Sequence, residues 1–182
     1  MKRYALLLSI PCLVGCHAVL GPVVALKPDY SELPMDALRD VAQEIEQAVQ
    51  NQDRDAEIRD RGGIVVSDER VRQAIRTRAA RSQLVNELLD SGFAWEKRNG
   101  HLYLLTNSAY KKATTRRGRD MNALVVSEEA GNRWAIYEGI IRSSNLSPRA
   151  LAAIEEVFHE ARVATMRPGQ KYEDADGNAV RK

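Results

Sequence analysis

The sequence predicts a mostly helical α+β domain with four main helices, a β-hairpin and a short C-terminal hairpin or turn. Two patterns carry that reading. Apolar side chains recur at helical spacing in four stretches between Met35 and Ala161. Asn99-Gly100, flanked by alternating apolar residues, is a strong signal for a hairpin turn. A chain of 182 residues suits one domain plus appendages, and it is long enough to bury a core without disulfides. Hydrophobic residues at 44% and charged residues at 29% argue against a disordered chain and a polytopic membrane protein. A formal net charge of +2 gives no ground for a nucleic-acid binder.

The elements follow in order. Leu38, Val41, Ile45 and Val49 define a helix from Met35, with Asp36 and Asp40 near its positive end. The charged stretch 51–61 extends this acidic helical segment to a stop at Gly62-Gly63. Residues 35–66 thus precede a main domain of 67–182. Ser67-Asp68-Glu69 opens a second helix, which runs to about Ser91 and stops at Gly92. Val71, Ile75, Val85 and Leu89 share one face of it, but Arg78 and Ser82 interrupt that face. Phe93 to Leu105 is the hairpin. Residues 106–122 are polar and read as an exposed loop carrying Lys111, Lys112, Arg116, Arg117 and Arg119. Helix returns near Ser127 and continues to about Ser143 through Trp134, Ile136, Tyr137, Ile140 and Ile141. Ser147-Pro148, a cap followed by proline at the first helical position, opens the last helix. Arg167-Pro168-Gly169 stops it, and Asp176-Gly177 turns the tail.

Ahead of the domain, Met1-Lys2-Arg3-Tyr4 is basic and Ala5 to Val14 is mostly apolar, the pattern of a secretory signal. Leu13-Val14-Gly15-Cys16 resembles the lipobox of bacterial lipoproteins. That resemblance implies cleavage between Gly15 and Cys16, a diacylglycerol on the Cys16 thiol and an acylated new N-terminus. Each buried CH₂ adds about 0.8 kcal/mol, so several acyl chains anchor durably. Two alternatives stand beside it: a transmembrane helix running to Leu26, and a signal cut elsewhere. Pro11, Gly15, His17, Gly21 and Pro22 break the apolar run needed for the first. His17 rather than Asp after the cysteine favours the outer membrane, by resemblance to sorting signals. Residues 17–34, with Gly21, Pro22, Pro28 and Pro34, read as a linker. The expected location is the bacterial cell envelope, lipid-anchored at the outer membrane and facing the periplasm.

Further blocks follow one another in order: Arg76-Thr77-Arg78 with Arg81, Ser91-Gly92, Glu96-Lys97-Arg98-Asn99-Gly100, Asn132-Arg133-Trp134-Ala135-Ile136-Tyr137, Pro168-Gly169 and Asp176-Gly177-Asn178-Ala179-Val180-Arg181-Lys182. From about Arg70 to Lys182 the chain resembles the YdbL-like proteins, a family of small bacterial envelope proteins. The resemblance implies no catalytic residues and no cofactor. It implies an accessory role with a protein partner, such as an envelope assembly that moves phospholipid between membranes. Its motif positions are Gly92, Glu96, Asn99, Gly100, Asn132, Arg133, Tyr137, Pro168, Gly169, Asp176 and Gly177.

Candidate chemistry is sparse. His17, His101 and His159 are scattered, and His159-Glu160 lacks the second histidine of a zinc helix, so no metal site is expected. Asp174, Asp176 and Asn178 echo a calcium loop without its glycine and glutamate, and read as a turn. No serine lies in a nucleophile motif. Glu96, between Trp95 and Lys97, suggests the general acid of an envelope hydrolase, or more simply an ion pair with Arg76, Arg78 or Arg81. Those arginines and the run 111–119 are also the candidate site for anionic lipid, glycan or a protein partner. Arg78, on an apolar face, is expected at least partly buried and paired.

Charge is unevenly spread. Residues 16–69 hold 5 basic and 12 acidic side chains, whereas residues 70–119 hold 12 and 3. This predicts that the acidic arm packs on the basic centre and shields it.

Overall fold

In a computed structural model the described residues are 33–182, of which 60% are helical. The signal, Cys16 and the linker up to residue 32 lie outside them. Helix α1 spans Met35–Gln50, α2 Glu69–Asp90, α3 Ser108–Ala113, α4 Arg116–Ser143 and α5 Leu151–Thr165. Strands β1 (Ala94–Glu96), β2 (Leu102–Leu104), β3 (Lys171–Glu173) and β4 (Ala179–Arg181) form one small sheet. The mostly helical α+β architecture is the one the sequence predicts.

α1 has no side-chain cap at its N-terminus, so packing holds it. Leu38, Val41 and Ile45 are fully buried, each contributing about 2 kcal/mol by leaving water. They join Ile64, Val71, Ile75, Ile136, Ile140, Ile154 and Phe158 in the main core. The acidic arm is therefore one wall of that core, and it packs on α5 as well as α2.

The helix does not reach Gly62. It ends at Gln50, and Gln52 turns into the left-handed region at φ 59°. Residues 51–61 lack a continuous apolar stripe to bury, so nothing sustains the helix there. The loop that replaces it is pinned by polar contacts. Asp60 accepts from the Val66 and Ser67 amides, and Ser144 Oγ accepts from the Val65 amide.

Asp68 caps α2, its side chain accepting from the Arg70 and Val71 amides. The 106–122 loop also needs correction. α3 forms there, capped by Asn107, and α4 begins at Arg116, capped by Thr115 through the Gly118 amide. Val125 is buried, and it holds this early part of α4 against Val85 and Leu88 of α2 in a second small core. Exposed bases on the helix's outer side do not break it, because arginine and lysine are good helix formers.

The hairpin forms as expected, with Ala94 opposite Leu104 and Glu96 opposite Leu102. β3 and β4 form the C-terminal hairpin. The pairing of β3 parallel to β1, Trp95 with Lys171 and Glu96 with Tyr172, was not legible in the sequence. It joins two hairpins, each marginal alone, into the order β2-β1-β3-β4. Its consequence is to bring α5 and the tail beside Glu96.

Candidate functional site

The charged residues that interrupt the apolar faces meet in the interior. Arg78 of α2 donates through both terminal nitrogens to Glu46 of α1, at 2.9 and 2.8 Å. Its Nε donates to Glu129 of α4 at 2.9 Å. Arg133, one turn further along α4, donates from Nε to the same Glu129 oxygen at 2.7 Å. Its terminal nitrogens grip Glu96 of β1 at 2.6 and 2.8 Å. Arg162 of α5 closes the circuit, with Nε 3.3 Å from Glu96 and Nη1 3.6 Å from Glu46. Three arginines and three glutamates from five elements thus alternate in a closed ring.

All six are nearly inaccessible, between 2% and 3% exposed. Removing such charges from water is costly, and only alternating partners at hydrogen-bond distance offset it. Burial alone would raise the Glu129 carboxyl; the Arg78 and Arg133 guanidiniums outweigh it and hold it at about 2. Burial likewise pushes Glu96 up, but Arg133 and Arg162 win and keep it below the usual carboxylate range. Arg78 and Arg133 are in turn held protonated more firmly than an ordinary arginine, because the glutamates outweigh burial.

Second partners complete the ring. The Tyr137 hydroxyl accepts from Arg162 Nη1 at 2.7 Å, and the Gly100 carbonyl accepts from Arg133 Nη1 at 3.1 Å. Gly100 sits at φ 77°, where a side chain is strained, and a Cβ there would lie 2.9 Å from the Tyr137 ring. Among the described residues, Arg162 Nε and Nη2 and His159 Nε2 have no hydrogen-bond partner. A cavity of about 40 Å³ borders the ring, also lined by Ser82, Asn86 and Gln170. That volume suits a water-sized molecule; organic ligands need several hundred Å³.

Glu96 is paired, as one sequence expectation had it, but with Arg133 and Arg162 rather than Arg76, Arg78 or Arg81. The short hairpin turns Glu96 inward, toward α4 and α5. Glu129 is the second acid near it, yet both are held ionised, the opposite of what a general acid requires. Arg78 is buried and paired as expected, which removes it from any external anion site. Arg76 pairs with Glu69 at 3.3 Å and Arg81 with Glu128 at 2.8 Å, both at the surface.

Four motif positions, Glu96, Gly100, Arg133 and Tyr137, converge here. The others shape the chain elsewhere. Gly92 ends α2 at φ 73°, and Asn132 donates to the Glu128 carbonyl. Asn99 accepts from the His101 amide in the hairpin turn. Gly169, after Pro168, accepts from Arg181 through its carbonyl. Gly177, after Asp176, turns the tail, where Asp174 accepts from the Asp176 and Asn178 amides. No group of three potential metal-ligating side chains occurs among the described residues.

Sequence reasoning missed Glu46, Glu129 and Arg162. The available signal was charge interrupting an apolar stripe: Glu46 between Ala42 and Val49, and Glu129 with Arg133 between Val125 and Ile136. It could mark them as buried, but not say which charge meets which.

The basic run lies at one end of the molecule. Lys111 and Lys112 are exposed in the last turn of α3, and Arg116 and Arg117 in the first turn of α4. Arg119 turns inward to the Thr114 carbonyl at 2.7 Å and stands apart from the other four.

No family model matches the chain, and no curated protein or solved structure matches it either.

Proposed function

We propose that this is a lipid-anchored protein of the bacterial cell envelope, facing the periplasm from the outer membrane, with a non-enzymatic accessory or binding role. The observation that carries the non-enzymatic part is the closed ring. Glu96, the carboxylate that the sequence offers for catalysis, is occupied by Arg133 and Arg162, beside a cavity of only about 40 Å³. Such a cluster holds five elements in one arrangement and leaves the outer surfaces to act. The lipobox-like Leu13-Val14-Gly15-Cys16 supports the anchor. The likeness to YdbL-like proteins supports a protein partner, such as an assembly that transports envelope lipid.

Two experiments test this. Cells fed an alkyne fatty acid label the protein, and Cys16→Ala abolishes the label; persistence of label in that variant overturns the anchor. Crosslinking in intact cells followed by membrane pull-down recovers an envelope partner; recovery of the protein alone counts against one.

A further inference from the structure

We propose that the end of the domain formed by α3, the start of α4 and the end of α2 seats on the surface of an anionic phospholipid bilayer. The proposal rests on the anchored reading for the nearness of a bilayer, and goes beyond it in assigning a second, non-covalent contact.

Leu84 is 46% exposed, Met121 50% and Leu124 54%; such values are ordinary for single side chains and informative when grouped on one surface. They belong to one surface. Leu84 and Met121 line the same groove of about 350 Å³, whose other walls include Phe93, Tyr110 and Val125. Arg117, Met121 and Leu124 lie at i, i+4 and i+7 along α4, hence on one face. Lys111 and Lys112, next to Ala113, and Arg116 and Arg117, about one turn before Met121 on α4, are exposed, and none forms an ion pair among the described residues. Between 108 and 126 the chain holds five basic side chains and one acid, Asp120. Glu87 is the acid that lines the groove, and Asp120 and Glu128, the latter paired with Arg81, lie one turn to either side of Leu124 on α4.

The occupant follows from charge complementarity. Cations and bare leucine or methionine on one surface match a plane of anions above hydrocarbon. Lysine and arginine stems extend along such a boundary with their charges in the headgroups. A single-stranded nucleic acid would be met by aromatic faces for base stacking. Here Phe93 and Tyr110 are packed edge to face against each other, with ring centroids 5.4 Å apart.

The test uses the chain from His17 onward, without the apolar leader and Cys16, so that neither the leader nor a lipid plays a part. An environment-sensitive dye is attached at Ala113→Cys, an exposed position lining the groove. A control dye is placed at Arg149→Cys, beyond the other end of α4, roughly 40 Å away at 1.5 Å per residue. The probes are vesicles of phosphatidylcholine, with and without added phosphatidylglycerol. The expected result is a blue shift at 113, none at 149, only with the anionic vesicles. Changing Lys111, Lys112, Arg116 and Arg117 to Gln weakens it about tenfold or more, and added salt reverses it. An equal shift on neutral vesicles overturns the proposal. So does vesicle binding without a shift at 113, which would leave this face to a protein partner. Absence of a fatty-acid label on the unaltered protein in cells overturns the anchor and leaves this result standing.

Discussion

Arg133 clasps Glu96 with two hydrogen bonds, at 2.6 and 2.8 Å, across 37 residues of sequence. Neither side chain is more than 3% exposed. The pair ties the hairpin to the longest helix, and through Glu129 and Arg162 to the three other elements. Losing one partner therefore strands charge inside several contacts at once.

Arg133→Met is expected to destabilise the protein by about 3–5 kcal/mol, because Glu96 loses its main partner and Glu129 one of two. Adding Glu96→Leu should restore part of that loss. Arg76→Ala and Arg81→Ala, at surface pairs, should each cost about 1 kcal/mol or less. Urea denaturation measures all four. A single Arg133→Met variant as stable as Arg76→Ala would refute the account of the ring.

Acid should lower the protein's stability over two successive pH ranges. Burial, helped by Arg162 and opposed by Glu96, lowers His159 from 6.5 to about 4. Arg98 and Glu173 add smaller opposing effects. The unfolded chain then binds a proton below about 6.5 that the folded chain refuses until about 4. Stability from this group is full above 6.5 and falls by about 3 kcal/mol on the way to pH 4. Glu129, lowered from 4.5 to about 2, extends the loss between those values. His159→Phe should flatten stability between pH 6.5 and 4; an unchanged slope would exclude His159 as its source.

Two glycines of α4 should respond to alanine with opposite signs. A Cβ at Gly139 would lie 2.3 Å from Val71 Cγ2, in the seam between α4 and α2. Gly139→Ala should cost about 1–3 kcal/mol, since Val71 is fully buried and has little room to yield. A Cβ at Gly131 meets nothing within 4 Å. Gly131→Ala should stabilise by up to about 1 kcal/mol, the helix propensity difference. Thermal melts decide it, and equal shifts would mean the seam is looser than the structure has it.

Deleting residues 35–61 should abolish cooperative unfolding instead of exposing a basic surface. The deletion removes Leu38, Val41 and Ile45 from the core and takes Glu46 from Arg78. Circular dichroism of the truncated chain checks this. A folded truncation that binds anionic vesicles more tightly would restore the view of residues 35–61 as a detachable shield.

Much of the fold was legible because its signals are local. The stripe through Leu38, Val41 and Ile45, the Asn99-Gly100 turn, the Ser147-Pro148 start and the Pro168-Gly169 stop each act within a few residues. Boundaries failed where a local signal was missing or misread. The charged stretch after Gln50 carries no helix, whereas the one around Arg116 does. What separates the two cases is apolar contact: Val125 meets α2, whereas residues 51–61 present no comparable stripe.

Local pattern was enough to show that the molecule is mostly helical, where its hairpins turn, and that Arg78 breaks an apolar face. It equally placed a basic run in the middle of the chain. Tertiary structure alone decided that Arg78 meets Glu46 and Glu129, that Glu96 meets Arg133 and Arg162, and that Met121 and Leu124 stand exposed beside Leu84. The reason is one of range. Helical period and turn chemistry are written in neighbouring residues, but a buried charge is stable only with an opposite charge at hydrogen-bond distance. The packing of α1, α2, β1 and α4 supplies those partners from 32, 51 and 37 residues away.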